Sequence, residues 1–278
     1  MGPCRLPLPK DYNEANDTRK GLCGATANTI AARNFIRMIA GGAAAHSDHG
    51  RNVAEVFLTA ARKETEAYQI KDYKKLLEIA PYFNVATTVE KDGAVLDRDL
   101  DEIALEIGEK ALVEWGKPEG ELYYLKRAPK PLYDTWKKAG VLPRNIDREI
   151  VEIMHRTHMG VDQDYKNLMK QGTRAALADG WGGSMMATDL QDVLFGTPYP
   201  LTSEANLGVL KEDHVNIVIH GHEPVLSEMI VAMAQKPELV AYAKSKGAKG
   251  IQLSGICCTA NEILQRHGVP LCGTFLQQ

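Results

Sequence analysis

Four residues able to bind a transition metal follow two short apolar runs. His220 and His222 follow Val215–Ile219, and Cys257 and Cys258 follow Gly250–Leu253. Imidazole and thiolate together suit iron, nickel or zinc better than magnesium. In open parallel sheets, ligands collect at the carboxyl ends of the strands, where all four residues fall. Thr259 and Glu262, three apart, have the pattern of a capping box. That places Cys258 just before a helix N-terminus, whose amides and dipole favour a thiolate. The competing reading is a buried cysteine pair and a histidine that hydrogen-bonds a turn. Spacing leaves open which histidine and which cysteine face a metal.

His46 and His49 form a second pair, three residues apart on one side of a helix. They continue the face set by Phe35, Ile39 and Gly42 and lead into Val53, so they are expected to point inward or into a cleft. Two imidazoles in register suit proton transfer near neutral pH, whereas a lone inward histidine is more often a satisfied core residue. Asp48 and Arg51 stand close by in sequence. Cys4 and Cys23, with eighteen residues between them, are a weak metal signal alone. His155 and His158 share a helical face and are assigned to structure or surface. Gly180-Trp181-Gly182-Gly183 has no strand before it and no phosphate-binding Lys-Ser/Thr, so it reads as a packing or turn feature.

The elements that position these residues change character along the chain. Residues 1–24 read as irregular, broken by Pro3, Pro7, Pro9 and Gly21. A helix is predicted from near Asn28, interrupted at Gly41-Gly42, with Val53, Val56, Phe57 and Ala60 on its apolar face. Further helices are predicted over Tyr73–Ile79, Leu100–Trp115, Ile146–His155 and Asp164–Leu177, and strand signals here are scarce. From residue 209 the pattern becomes β-α-β-α: strand Val215–Ile219, a helix from Pro224 to about Lys246 ended by Gly247, strand Gly250–Leu253, and a helix from about Ala260. The fold class is thus α + α/β: a mostly helical domain over residues 1–208 and the start of a Rossmann-like parallel α/β domain over 209–278. Two parallel strands cannot form a covered sheet by themselves. The second domain therefore reads as cut in the middle, and the N-terminus as cut before Cys4.

Composition narrows the classes. The 278 residues carry a formal net charge of −3 without a basic block, which gives no sign of a nucleic-acid partner. The run Met38–Ala45 is far too short to span a bilayer, and the N-terminus lacks the apolar core of a secretory signal, so a cytoplasmic location is expected. The five cysteines, Cys4, Cys23, Cys257, Cys258 and Cys272, are an odd count that argues against a disulfide framework.

Several motifs, taken in order, resemble the catalytic subunit of nickel-containing carbon monoxide dehydrogenases of anaerobes. They are Gly2-Pro3-Cys4-Arg5, Gly21–Ala27, Ala43–Gly50, Glu152–Thr157, Leu194–Pro198, Asn206–Lys211, His220–Pro224 and Gly255–Glu262. Together they span nearly the whole chain.

The resemblance implies a helical domain followed by two Rossmann-like domains, of which this chain supplies most of the first and the opening of the second. It implies reversible oxidation of CO with water to CO2, two protons and two electrons at a NiFe4S cluster, with electrons leaving through [4Fe-4S] clusters to a ferredoxin-type acceptor. It further implies a homodimer, and in some members an acetyl-CoA synthase subunit as partner. Residue by residue, Cys4 and Cys23 match two ligands of a [4Fe-4S] cluster. His222 and Cys258 match the ligands of the exposed iron in the active cluster, with Cys257 as the non-ligand neighbour. His46 and His49 match histidines that move protons. The remaining ligands of the family fall outside these 278 residues, so the chain alone is expected to be inactive. Cys272 and His220 receive no role. The alternatives are a relative of the hybrid-cluster hydroxylamine reductases, a zinc site at His222 and Cys258, and a non-catalytic metal-binding module.

Overall fold

The structure is a computed structural model and describes residues 6–8, 10–13, 15, 17–199, 207–221, 223–256, 263 and 266–268. Cys4, His222, Cys257, Cys258 and Cys272 lie outside the described residues, as do the capping box and the start of the helix expected near Ala260.

The helical part is built on one long helix, α1 (Ala27–Ala61). Thr26 caps it by accepting the Thr29 amide at 3.2 Å, which satisfies one of the orphan donors of the first turn. The expected interruption at Gly41-Gly42 does not occur. Each glycine costs a helix about 1 kcal/mol, and burial of the opposite face outweighs that. Val53, Phe57 and Ala60 are buried as expected, but the first half of the expected face is not: the buried side there runs through Ala32, Ile36, Ala40, Ala43, Ser47 and Gly50, whereas Phe35 is 46% exposed and Gly42 faces solvent. Small residues line the inner face because helices pack tightly against it.

Those neighbours are α3 (Leu100–Gly116), α5 (Ile146–Arg156), α6 (Tyr165–Ala178) and α7 (Ala187–Phe195). Asp99, Asn145 and Asp164 cap α3, α5 and α6 with their side chains. The main core joins Val53 and Phe57 of α1 to Leu76 and Ile79 of α2 (Tyr73–Ile79), Ile103 and Ile107 of α3, and Tyr124. Each large apolar side chain buried there contributes about 1.5–3 kcal/mol. α7 was not foreseen from the sequence, and neither were two further elements. One is α4 (Lys130–Ala139), amphipathic, with no fully buried residue but with Tyr133 and Trp136 packed against the edge of the core. The other is a hairpin of β1 (Thr88–Lys91) and β2 (Ala94–Asp97), turned by Asp92 and Gly93, both at positive φ.

Between α6 and α7 the chain widens into a π-helical segment, Asp179–Met186. The glycines expected to serve packing lie here. A Cβ on Gly50 of α1 would stand 2.6 Å from the carbonyl oxygen of Gly183, and a Cβ on Gly183 would meet the Ser47 backbone at 3.2 Å. The two backbones thus approach as only glycines allow.

Strands β3 (Val215–His220) and β4 (Ile251–Ile256) pair in parallel, in a register that matches Val215 with Ile251 and His220 with Ile256. The single helix expected between them is two, α8 (Pro224–Ala234) and α9 (Pro237–Ser245). Pro237 cannot continue a hydrogen-bonded helix, so the chain turns at Gln235-Lys236 and restarts with proline in the first turn. A mostly helical body followed by the beginning of a parallel α/β unit agrees with the fold class read from the sequence.

Candidate functional site

His46 and His49 both stand on α1 where it crosses the π segment. Their rings meet edge to face with centroids 5.7 Å apart. His46 Nδ1 lies 3.1 and 3.2 Å from the two carboxylate oxygens of Asp179, the first residue of the π segment. Burial raises the pKa of Asp179, and the neighbouring imidazole acts in the opposite direction. A carboxylate on Nδ1 selects the tautomer in which that nitrogen carries the proton, which makes Nε2 the basic atom. His49 is 7% exposed, whereas His46 is half-buried.

Ser47 lies between them on the buried side. Its carbonyl and hydroxyl both accept from Trp115 Nε1 at 3.1 Å, so α3 holds this turn of α1 in place. On the outer side, Arg51 donates to both oxygens of Asp147 at 3.0 Å. His49, Ser47, Asp48, Arg51, Asp147 and Glu223 line a cavity of about 510 Å³. Glu223 directly precedes α8. The cavity therefore reaches from His49 to the head of α8. Sequence reading found both histidines but not Asp179, which is 133 residues from His46. The only local signal for it was the glycine cluster beginning at Gly180.

Cys23 has its own setting. Arg33, on α1, brings Nη1 to 3.7 Å from Cys23 Sγ. Backbone amides of Ala25 and Gly160 and the Arg33 guanidinium lower the pKa of the thiol from 9.0 to about 7. The α5–α6 connection wraps this corner: Gln163 Nε2 donates to the Cys23 carbonyl at 2.6 Å, and Thr29 Oγ1 to the Gln163 carbonyl at 2.8 Å. N–H donors converging on a sulfur favour the thiolate, the form that ligates iron, so this corner fits a cluster ligand.

Residues His220 and Ile256 are paired across β3 and β4, and His222 and Cys258 each stand two positions further along the sequence. Imidazole and thiolate as residue types suit iron, nickel or zinc; His222 and Cys258 themselves lie outside the described residues. Among the described residues, no group of three or more His, Cys, Asp and Glu is arranged to hold a metal. His155 is exposed at the end of α5, and His158 lies beyond that helix rather than on its face. No helix among the described residues is long and apolar enough to cross a membrane.

Comparison with known proteins gives a consistent picture. The model of the Prismane/CO dehydrogenase family matches residues 1–278. The chain is 51% identical over 278 residues to "Carbon monoxide dehydrogenase 1" of Methanosarcina acetivorans, covering 100% of this chain and 42% of that protein. It is 44% identical over 282 residues to the protein of the same name from Carboxydothermus hydrogenoformans, again covering 42% of the relative. A crystal structure of the Ni-free carbon monoxide dehydrogenase of Thermococcus sp. AM4 superposes with a TM-score of 0.88 at 52% identity, covering 100% of this chain and 42% of that one. The chain thus spans well under half the length of the relatives it matches.

Proposed function

The chain belongs to the Prismane/CO dehydrogenase family, and on that footing we propose that it forms part of an anaerobic carbon monoxide dehydrogenase. The observation that carries this reading is the His46–Asp179 hydrogen bond with the His49 ring beside it; His49 in turn lines a cavity that reaches Glu223 at the head of α8.

In this reading His222 and Cys258 hold an iron of a NiFe4S cluster, and Cys4 and Cys23 hold part of a [4Fe-4S] cluster. When bound, these groups supply the redox chemistry, taking two electrons as CO and water become CO2 and two protons. The chain's own residues manage the protons. His46 accepts a proton at Nε2 while Asp179 keeps Nδ1–H in place and stabilises the imidazolium that forms. His49, one ring away, is the next carrier. Asp147 and Glu223 line the cavity beyond it and give the proton a route outward. Arg51 holds the Asp147 carboxylate in its position. Trp115, donating to Ser47, keeps the histidine-bearing turn from shifting.

We place the domain boundary at residues 208/209, a few residues ahead of β3 (Val215–His220). The intact protein is a homodimer in the cytoplasm that passes electrons to a ferredoxin-type acceptor. An acetyl-CoA synthase subunit is a further partner, a role supported by the 42% identity to the "Carbon monoxide dehydrogenase/acetyl-CoA synthase subunit beta" of Moorella thermoacetica.

The test is an assay of anaerobically purified holoprotein for CO-dependent viologen reduction, alongside hydroxylamine reduction and metal analysis. CO oxidation with nickel and iron present is the expected result. Hydroxylamine reduction without CO oxidation would favour the hybrid-cluster alternative, and zinc in place of iron would favour a structural metal site.

A further inference from the structure

Arg33 is a charged side chain that the reading above leaves without a task. It is 2% exposed, on the inner face of α1. One guanidinium nitrogen, Nη2, donates to the Asp162 carbonyl at 2.7 Å. Another, Nη1, points at Cys23 Sγ from 3.7 Å. Nε is buried with no hydrogen-bond partner among the described residues. No carboxylate pairs with Arg33 among those residues either. The nearest in sequence to its carbonyl partner, that of Asp162, is taken by Arg156 at 3.0 Å. A guanidinium removed from water needs a counter-charge, or it destabilises the fold. The Cys23 sulfur is the anionic group that the structure offers it.

We infer that Arg33 is a positioning residue that tunes the reduction potential of the iron–sulfur cluster held by Cys23, by donating a hydrogen bond and a fixed positive charge to that sulfur. The inference rests on the reading of Cys23 as a cluster ligand. Reduction of the cluster adds one electron, and so one negative charge, to a unit whose thiolates already carry excess negative charge. A buried cation and an N–H···S bond stabilise the reduced form more than the oxidised one, which raises the potential. Low dielectric around a side chain this buried keeps the effect from being screened. The surroundings keep the donor in place. Arg33 is fixed from behind by the Asp162 carbonyl, and Gln163 fixes Cys23 by its own carbonyl. Sulfur and guanidinium are thus both tied to the α5–α6 connection, and their separation is set by it.

The experiment is a mediated redox titration of the anaerobically purified holoprotein, followed by electron paramagnetic resonance, with iron content measured in parallel. The variants are R33M, R33Q, R33K and C23S. The signal that C23S removes identifies the cluster to follow. R33M is expected to lower the reduced-to-oxidised ratio of that cluster at a given potential at least tenfold, a shift of about 59 mV for a one-electron couple. R33K, which keeps the charge but not the planar fork, should fall between R33M and wild type. R33Q, which keeps a donor without the charge, separates the two contributions. A ratio within twofold of wild type in R33M, at full iron content, would overturn the tuning role. Loss of the cluster from all three Arg33 variants in folded protein would also overturn it, by showing that Arg33 holds the cluster rather than tunes it. If C23S keeps all its iron and every signal, the assignment of Cys23 fails instead, a different result from either of these.

Discussion

Two glycines of α1, eight residues apart, should respond to the same substitution with opposite signs. At Gly42 an added Cβ meets nothing within 4 Å, and the residue is exposed. Gly42→Ala should therefore collect only the helix-propensity gain of about 1 kcal/mol. At Gly50 the added Cβ stands 2.6 Å from the Gly183 carbonyl oxygen and 3.4 Å from the Ala187 Cβ. Ordinary contact distances exceed the first of these by more than half an ångström, and the obstacle is backbone. Overpacking of this kind costs about 1–3 kcal/mol. After the propensity gain, Gly50→Ala should remain destabilising by up to about 2 kcal/mol. The two variants should differ by about 1–3 kcal/mol, or several degrees in unfolding temperature at roughly 2–4 °C per kcal/mol. Thermal or urea unfolding measures this directly. Relief of the clash must move the π segment away from α1, and Asp179 with it, so if the proposed function holds, Gly50→Ala in the holoprotein should also slow CO oxidation whereas Gly42→Ala should not. Equal stabilisation by both substitutions would refute the close approach of α1 and the π segment.

Asp179→Asn should separate stability from function. Burial raises the Asp179 pKa, so its favourable contribution is present below the unfolded value of 3.8 and is lost as pH rises through the raised native value. At neutral pH the asparagine variant should be no less stable than wild type, while proton transfer through His46 slows by about 10²–10⁴-fold. Unfolding curves across pH and the rate of CO oxidation check the two halves. Trp115→Phe removes the donor shared by the Ser47 carbonyl and hydroxyl, both buried, and should cost about 1–3 kcal/mol by unfolding. Arg266→Met breaks a buried ion pair, Arg266 Nη2 to Asp192 Oδ1 at 2.6 Å, with the arginine side chain 5% exposed. It should cost about 3 kcal/mol, toward the lower end because Lys75 still lies 3.9 Å from Asp192. A loss below 1 kcal/mol in urea unfolding would show that the pair is not buried in solution.

The spacing of His46 and His49 was enough to place both rings on one side of a helix. The parallel direction of β3 and β4 was likewise legible, from two short apolar runs joined by a helical stretch. The depth of α1 was harder to read. Around Ile36 its inner face is mostly small, with Ala32, Ala40, Ala43, Ser47 and Gly50, so hydrophobicity pointed to Phe35 while packing selected the small residues opposite. Asp179 was out of reach because its partner comes from 133 residues away, through a π-helical widening that no local periodicity announces. Arg33 was hidden for a different reason. An arginine within a helical pattern reads as solvent-facing, and only the approach of Cys23 and the α5–α6 connection makes burial tolerable. The β1–β2 hairpin was missed although a signal existed, since Asp92-Gly93 between two short runs is a strong turn signal. The break in the α8–α9 segment could also have been read from Pro237.

The account turns on whether His222 and Cys258 bind one and the same iron. Mössbauer spectra of isotopically enriched holoprotein, compared with H222A and C258A, address this directly. Each single substitution is expected to abolish the same iron component and to leave the cluster assigned to Cys23 intact. Loss of two different components, or of none, would contradict it.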